Sequence, residues 1–165
     1  MDNDPVPDRS MAHREKIEWM IESAGWAFEA VAAHVDSVPP APPRGYTVGL
    51  EDRFGFPEVA VFGMTPAAAK GLVGLVVDLL AIGTAPPVGS LFVGLLDGEQ
   101  RAALLPVDLE VHGALFSTAA EWFGGRRFRV VQFAWPDRAG WLPWEPGFEQ
   151  RLRFAQPVIG DVSGL

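Results

Sequence analysis

Cysteine is absent from the 165 residues of the chain. Its absence excludes a disulfide framework, a thiolate zinc site and a cysteine nucleophile. Lysine is scarce, with two residues against eleven arginines, and the formal net charge is −8. Because affinity for phosphate groups is built from many lysine and arginine contacts, this charge argues against nucleic acids and anionic membranes as partners.

No apolar run is long enough to cross a bilayer, since a spanning helix needs about 20 apolar residues. The longest run, Gly71–Gly83, is shorter and contains Asp78, so it predicts a helix of the protein core. The first ten residues are acidic and contain prolines, and they lack the apolar stretch of a signal peptide. Together these features predict a cytoplasmic protein that does not associate with membranes.

The motifs of the common enzyme classes are also missing. The chain has no glycine-rich phosphate loop, no dinucleotide fingerprint, no zinc-protease helix motif, no Gly-x-Ser-x-Gly elbow and no EF-hand loop. The three histidines lie far apart, and only His112 lies near the end of a predicted strand. A lone histidine in such a place is more often a structural residue than a ligand. The sequence therefore predicts no metal site and identifies no cofactor.

Length and composition predict one domain over residues 10–155, because about 150 residues are enough to bury a core and 48% of the residues are hydrophobic. Residues 1–9 are predicted to be a disordered tail and residues 156–165 a flexible one. Helical and extended segments are interspersed without a strict β-α-β repeat, which predicts an α+β fold. We expect a mixed, mainly antiparallel sheet with two or three packed helices, closed by a Trp/Pro-rich C-terminal loop.

Capping residues and periodicity locate the elements. One helix is predicted from Ser10, as its N-cap, to Gly25, and another from Thr65, which is followed by Pro66, to Gly83. A short helix is predicted over residues 114–125. Apolar runs predict strands over residues 26–33, 46–50, 58–63, 90–96, 101–113 (as one or two strands) and 126–135.

The segment Trp135–Phe148 holds three of the six tryptophans, together with three prolines and two glycines. Its prolines fix the backbone and lack N–H donors, so the segment cannot be a helix. The structural interpretation is a loop that packs its tryptophans and closes an open end of the sheet. In that interpretation Asp137 caps backbone N–H groups of the loop and pairs with Arg138.

Three segments together resemble a known family. They are Gly25–Val31 (GWAFEAV), Tyr46–Met64 (YTVGLEDRFGFPEVAVFGM) and Trp135–Phe148 (WPDRAGWLPWEPGF). In their order and spacing they are similar to the bacterial family of domain of unknown function 4262, over about residues 15–150. The resemblance implies a small, stand-alone bacterial protein of the cytoplasm, and it implies no activity.

The chain departs from this family at Phe56. The family usually has histidine there, in a Gly-His-Pro-Glu motif, where this chain has Gly55, Phe56, Pro57 and Glu58. If that histidine were a catalytic base or a metal ligand, this protein would be inactive. A phenylalanine fits a packing position better, and this weakens every histidine-based mechanism.

Three functional interpretations stay open. The favoured one is a binding or interaction domain without catalysis, whose exposed aromatic surface contacts an unknown protein partner or, as a variant, a second copy in a homodimer. The others are a small-molecule site and a hydrolase-like enzyme, both with a tryptophan-lined pocket between the Tyr46–Glu58 turn and the Trp135–Phe148 loop. The candidate residues of this pocket or surface are Tyr46, Thr47, Asp52, Glu58, His112, Trp135, Asp137, Arg138 and Trp144.

Specific roles follow for the enzyme interpretation. Asp52, Glu58 and Asp137 are its candidate acids or bases, and Arg138 is its candidate clamp for an anion. Residues 126–153 also hold six arginines against three acids. This run is either a solvated strand face or a site for a phosphate or carboxylate.

Overall fold

The computed structural model describes residues 12–34, 36 and 40–165. Within them the strands are β1 (Ala27–Val31), β2 (Arg44–Val48), β3 (Glu58–Phe62), β4 (Leu91–Phe92), β5 (Ala102–Pro106) and β6 (Val130–Ala134). The α-helices are α1 (His13–Ala24), α2 (Leu50–Phe54), α3 (Pro66–Ala81), α4 (Leu109–His112) and α5 (Ser117–Phe123). Single 3-10 turns lie at Gly113–Phe116 and Gln150–Leu152.

The strands form one mixed sheet in the order β1-β2-β3-β6-β5-β4. The pair β3 and β6 is parallel, and the other pairs are antiparallel. The predicted α+β fold with a mainly antiparallel sheet is therefore confirmed. Within the described residues, no helix combines the length and the apolar character that crossing a bilayer requires.

Helix α3 shows how the local sequence fixes an element. Thr65 accepts a hydrogen bond at Oγ1 from the backbone N–H of Ala68 (3.3 Å), and Pro66 occupies the first helical position. Helix α1 ends as predicted, because Gly25 has a left-handed backbone (φ 86°) and donates its N–H to the carbonyl oxygen of Ile21. Its start differs from the prediction, since the helix begins at His13 with Ala12 at the N-cap position. The predicted N-cap, Ser10, lies outside the described residues.

The sheet lies between two layers that bury both of its faces. On one face α3 packs Val73 and Val76 against the sheet residues Val59, Val61 and Val131. The opposite face is covered by α1, α5 and the intervening 3-10 turn, which contribute Ile17, Phe123 and Phe116 to a second core cluster. Burial on both sides explains why β3 reads as a continuous apolar run.

Two predicted strands take a different form. Over residues 90–96 the strand is reduced to Leu91–Phe92, because the segment is largely exposed and turns at Gly94 (φ 99°). After Pro106 the second predicted strand is replaced by α4. Asp108 starts that helix by accepting at Oδ1 the N–H of Glu110 (2.9 Å).

Residues after 155 contact the sheet. Gln156 is buried, and its side-chain amide forms two hydrogen bonds with the backbone of Trp135 (2.9 and 3.0 Å). Further on, Ile159 and Gly160 donate their N–H groups to Oε1 of Gln132 in β6 (2.9 and 3.0 Å). Three residues of the segment predicted as a flexible tail are thus hydrogen-bonded to Gln132 of β6 or to Trp135 directly after it.

Candidate functional site

The two segments predicted to share a pocket lie at opposite ends of the sheet. Because β3 and β6 are parallel, both begin at one end, here called the amino end, and both finish at the carboxyl end. The Tyr46–Glu58 turn leads into β3 at the amino end, whereas Trp135–Phe148 follows β6 at the carboxyl end. Each strand has five residues, which at about 3.3 Å per residue corresponds to a separation of about 15 Å. The single tryptophan-lined pocket predicted between them does not form.

At the carboxyl end, Asp137 organises the tryptophan loop. Its Oδ1 accepts the N–H groups of Ala139 and Trp141 (both 2.9 Å), and its Oδ2 accepts the N–H of Glu149 (2.8 Å). Burial acts to raise the pKa of Asp137, but these backbone donors outweigh it and lower the pKa. The predicted capping by Asp137 is present. The predicted pair with Arg138 is not, since Arg138 is exposed and forms no ion pair with a described residue.

The tryptophans of this loop pack against the domain. Trp135 donates its indole N–H to the carbonyl oxygen of Phe62 (3.0 Å) and packs on the core under α3. Trp144 packs on the opposite face of the sheet, beside Leu105. Trp141 lies so close to Gly147 that a Cβ on that glycine would come within 2.3 Å of its ring. Trp135 and Trp144 therefore use much of their aromatic surface within the domain, whereas Trp141 is 43% exposed.

An ion pair between Arg101 and Glu145 also stabilises the tryptophan loop. Arg101, just before β5, forms two hydrogen bonds with the carboxylate of Glu145 (3.0 and 2.5 Å) and one with the carbonyl oxygen of Gly140 (2.9 Å). Hydrogen bonding to Arg101 is the main reason why the pKa of Glu145 is lowered. Arg101, Glu145 and Asp137 are therefore engaged in holding the loop, whereas Arg138 is not.

At the amino end, the carboxylate of Glu58 is fully buried and occupied. Its Oε1 accepts the hydroxyl of Thr47 (2.8 Å) and the N–H of Leu50 (3.0 Å), and its Oε2 accepts the N–H of Glu51 (3.0 Å). Burial raises the pKa of Glu58 to about 7, although these donors favour the ionised form. Glu58 thus supplies, from β3, the cap that Gly49 cannot give to the start of α2.

The raised pKa of Glu58 gives the first testable prediction. The folded chain keeps a proton that the unfolded chain loses at pH 4.5, and it releases that proton near pH 7. The free energy of unfolding should therefore fall as the pH rises from about 4.5 to about 7, by about 3 kcal/mol from this group. Urea unfolding at several pH values measures the effect. The difference between the wild type and Glu58→Gln isolates it, because glutamine does not titrate.

Two outcomes would contradict this prediction. A difference that stays constant across the window would mean that the pKa of Glu58 is the same in both states. A difference that changes in the opposite direction, with the wild type gaining stability as the pH rises, would mean that the hydrogen bonds dominate and the pKa is lowered.

Ion pairs connect α2 with the arginine-rich segment before β6. Glu51 accepts two hydrogen bonds from the guanidinium of Arg129 (2.8 and 3.0 Å), and Asp52 accepts two from Arg126 (2.7 and 3.3 Å). Arg127 is exposed and forms no ion pair within the described parts of the chain. Two arginines of the run predicted as a strand face or an anion site thus serve to join two segments.

A groove of about 600 Å³ opens beside these ion pairs, across the start of β6. We call it the basal groove; it is lined by Gly55–Pro57, Val88, Pro106–Glu110 and Phe128–Val131. Phe56 is 93% buried and belongs to the core under α3, so its ring forms part of an apolar wall. The packing role predicted for this position agrees with that placement. The charged groups of the groove are Asp108, Glu110 and Arg129.

The remaining candidates lie elsewhere. Tyr46 is almost fully buried in mid-sheet, and its hydroxyl oxygen accepts the N–H of Thr118 (3.2 Å). His112, at the end of α4, lines a different cavity on the face covered by α1 and α5. Among the candidates, the structure joins Thr47 and Glu58 by a hydrogen bond, and Asp52 lies on the helix that Glu58 caps. Trp135, Asp137, Arg138 and Trp144 share one loop, but Trp135 and Trp144 pack on opposite faces of the sheet.

Sequence reasoning missed the residues that make the groove. Leu109, Glu110 and Phe128 carry no motif, and they meet only because β5 pairs with β6. One sequence feature could have pointed to the groove: the arginine-rich run at 126–129. It directly precedes β6 and lies beside the motif segment Gly55–Glu58 because β3 and β6 are parallel neighbours.

In the described part of the chain, no three His, Asp or Glu side chains are arranged to hold a metal ion.

Comparisons with known proteins identify the family that the three motif segments resemble. No curated protein and no solved structure matches the chain significantly. The model of the family described as domain of unknown function (DUF4262) matches residues 20–149, which is most of the chain. The chain belongs to the DUF4262 family.

Proposed function

We propose that the protein is a binding domain without catalysis, and that its ligand is a small molecule with an apolar body that lies in the basal groove. The observation that carries the proposal is that neither buried acid lines the basal groove, and that both are engaged within the protein. Glu58 and Asp137 each accept three hydrogen bonds from the protein itself. A catalytic acid or base has to reach a substrate proton directly or through one water.

The third candidate acid, Asp52, does not change this conclusion. Its carboxylate is about half exposed and is paired with Arg126 on the surface. An exposed ion pair of this kind contributes little free energy, and neither Asp52 nor Arg126 lines the basal groove. The alternatives of a hydrolase or a carboxylate metal site therefore draw no support from the geometry.

The basal groove has the dimensions and chemistry of a ligand site. Its volume of about 600 Å³ lies within the range of about 300–1,000 Å³ found for small-molecule sites. Phe56, Leu109 and Phe128 offer apolar surface, and Glu110 and Arg129 provide opposite charges for orientation. Arg129 is held in place by Glu51 and by the carbonyl oxygen of Gly55 (2.8 Å), which pre-organises that side of the groove.

The test is a binding titration with a neutral apolar dye, N-phenyl-1-naphthylamine, followed by its fluorescence. Val88 lines the groove and is 42% exposed, so Val88→Trp should fill the groove without disturbing the core. We expect this variant to weaken dye binding at least about tenfold, equivalent to about 1.4 kcal/mol. The matched control is Val93→Trp, which adds the same side chain to an exposed position of the same segment outside the groove.

The dye titration of the two variants distinguishes binding in the groove from nonspecific binding. Loss of binding in Val88→Trp alone supports the proposal. Equal affinity of the wild type and Val88→Trp would overturn it, as would an equal loss in Val93→Trp, since a nonspecific apolar surface would then bind the dye.

A further inference from the structure

A buried cation lies on the face of the sheet that α1 and α5 cover. Arg44, the first residue of β2, has only 9% of its surface exposed. Its Nε donates to the carbonyl oxygen of Leu115 (2.9 Å), in the 3-10 turn before α5. Its Nη1 is buried and has no hydrogen-bond partner among the residues that the structure describes. A buried guanidinium with an unpartnered nitrogen calls for an explanation, because arginine is almost never buried unless it is paired.

The electrostatics agree with the geometry. Burial lowers the pKa of Arg44, and the only described group that acts against this effect is the phenol of Tyr46 two residues on. A phenol is neutral at physiological pH, so it provides no counter-charge. An uncompensated charge in a low-dielectric site is destabilising, and an anion bound beside it would offset that cost.

The surroundings of Arg44 provide space for such an anion. A cavity of about 520 Å³, here called the lateral cavity, has walls that include Phe62, His112, Leu115 and Ile159. Phe62 lies directly opposite Arg44 on β3, and Leu115 is the residue whose carbonyl oxygen holds the guanidinium. Arg44 does not itself line the cavity, but it is linked to the wall through Phe62 and through the carbonyl oxygen of Leu115. The wall is apolar apart from His112.

We infer that the lateral cavity binds an apolar monocarboxylate whose headgroup pairs with the guanidinium of Arg44. The planar guanidinium matches a carboxylate through two parallel hydrogen bonds. The apolar wall suits an alkyl or aryl tail, and the single cation together with the net charge of −8 disfavours a dianion such as phosphate. Because Arg44 does not line the cavity, pairing with Nη1 requires the wall to open beside Leu115, and that opening is part of what we infer.

This site is independent of the basal groove. The two cavities share no lining residue, and they lie on different parts of the molecule. A binding result at one of them therefore does not decide the other.

The experiment compares two ligands of the same size, 4-phenylbutyrate and its uncharged amide, 4-phenylbutyramide, by calorimetry or ligand-observed NMR. We expect the carboxylate to bind the wild type at least about tenfold more tightly than the amide, because charge-assisted pairing adds at least about 1.4 kcal/mol. The Arg44→Met variant should lose this preference and bind both ligands with similar affinity.

Variants at the cavity mouth keep the test decisive if Arg44→Met fails to fold. Ala114 is exposed and lines the cavity, so Ala114→Trp should block both ligands. Ala120→Trp, at an exposed position of α5 outside the cavity, is the matched control and should bind normally. Val88→Trp, in the basal groove, should also bind the carboxylate normally.

Three results would overturn the inference. Equal affinity of the wild type for the carboxylate and the amide would mean that Arg44 takes no part in binding. That result is expected if an internal water satisfies Nη1. Unchanged carboxylate binding in Ala114→Trp would place the ligand elsewhere. Failure of the carboxylate to bind at millimolar concentration would remove the site altogether.

Discussion

Replacing Glu58 by alanine is expected to lower the free energy of unfolding by about 4 kcal/mol, one of the two largest effects anticipated for a single substitution in this chain. The change leaves two buried donors, the hydroxyl of Thr47 and the N–H of Leu50, without an acceptor. It does the same to the partly buried N–H of Glu51. It also opens a cavity at a position with no exposed surface. Urea unfolding followed by circular dichroism measures the loss.

The effect should extend beyond the site of the substitution. Helix α2 starts at Gly49 (φ 112°), which has no side chain to cap it, so Glu58 is the cap that α2 has. Without that cap we expect α2 to fray, and its residues Glu51 and Asp52 then lose their fixed position beside the arginine-rich segment. Hydrogen exchange reports the change directly, since the amide of Arg53 bonds to the carbonyl oxygen of Gly49 (3.1 Å) and should lose protection.

The matched control is Asp52→Ala. Asp52 lies on the same short helix, but its ion pair with Arg126 is about half exposed, and such pairs contribute about 0–1 kcal/mol. If Glu58→Ala lowers the free energy of unfolding no more than Asp52→Ala does, then the carboxylate of Glu58 does not stabilise α2.

The sequence predicts single elements well where local chemistry decides them. The cap at Thr65 and the proline after it fix the start of α3, and the glycine at position 25 ends α1. The prediction failed at Leu50, where an apolar residue after Tyr46–Val48 extends the apparent strand. The chain instead turns at Gly49 into a helix whose cap comes from Glu58, eight residues later. No periodicity in the segment itself contains that information.

The site was less predictable than the fold because it depends on which strands are neighbours. An apolar run shows that β3 and β6 are buried, but not that they are parallel partners across about 70 residues of chain. That pairing places the tryptophan loop and the Tyr46–Glu58 turn at opposite ends. Arg44 was overlooked for the same reason: its burial depends on Leu115, which lies 71 residues further along the chain.

Replacing Asp137 by alanine is the second substitution expected to have a large effect, and it tests why the tryptophan loop is so rich in aromatic residues. Three backbone N–H groups, of Ala139, Trp141 and Glu149, would lose their acceptor at once. We expect the thermal midpoint to fall by about 10 °C, because several hydrogen bonds to an ionised group are lost together. The tryptophan emission should shift to the red as the loop opens and Trp144 leaves its place on β5.

The matched control is the neighbouring residue Arg138, which is exposed and has no ion pair among the described residues. Arg138→Ala should therefore leave both the thermal midpoint and the tryptophan emission unchanged. Asp137→Asn should fall between the two, because the amide keeps one acceptor oxygen and places an N–H₂ group against a backbone donor. A folded Asp137→Ala protein with an unshifted emission would mean that Pro136, Pro143 and Pro146 hold the loop without the carboxylate. The tryptophans would then be fixed by packing and backbone stiffness alone, and the cap would contribute little to the position of the loop.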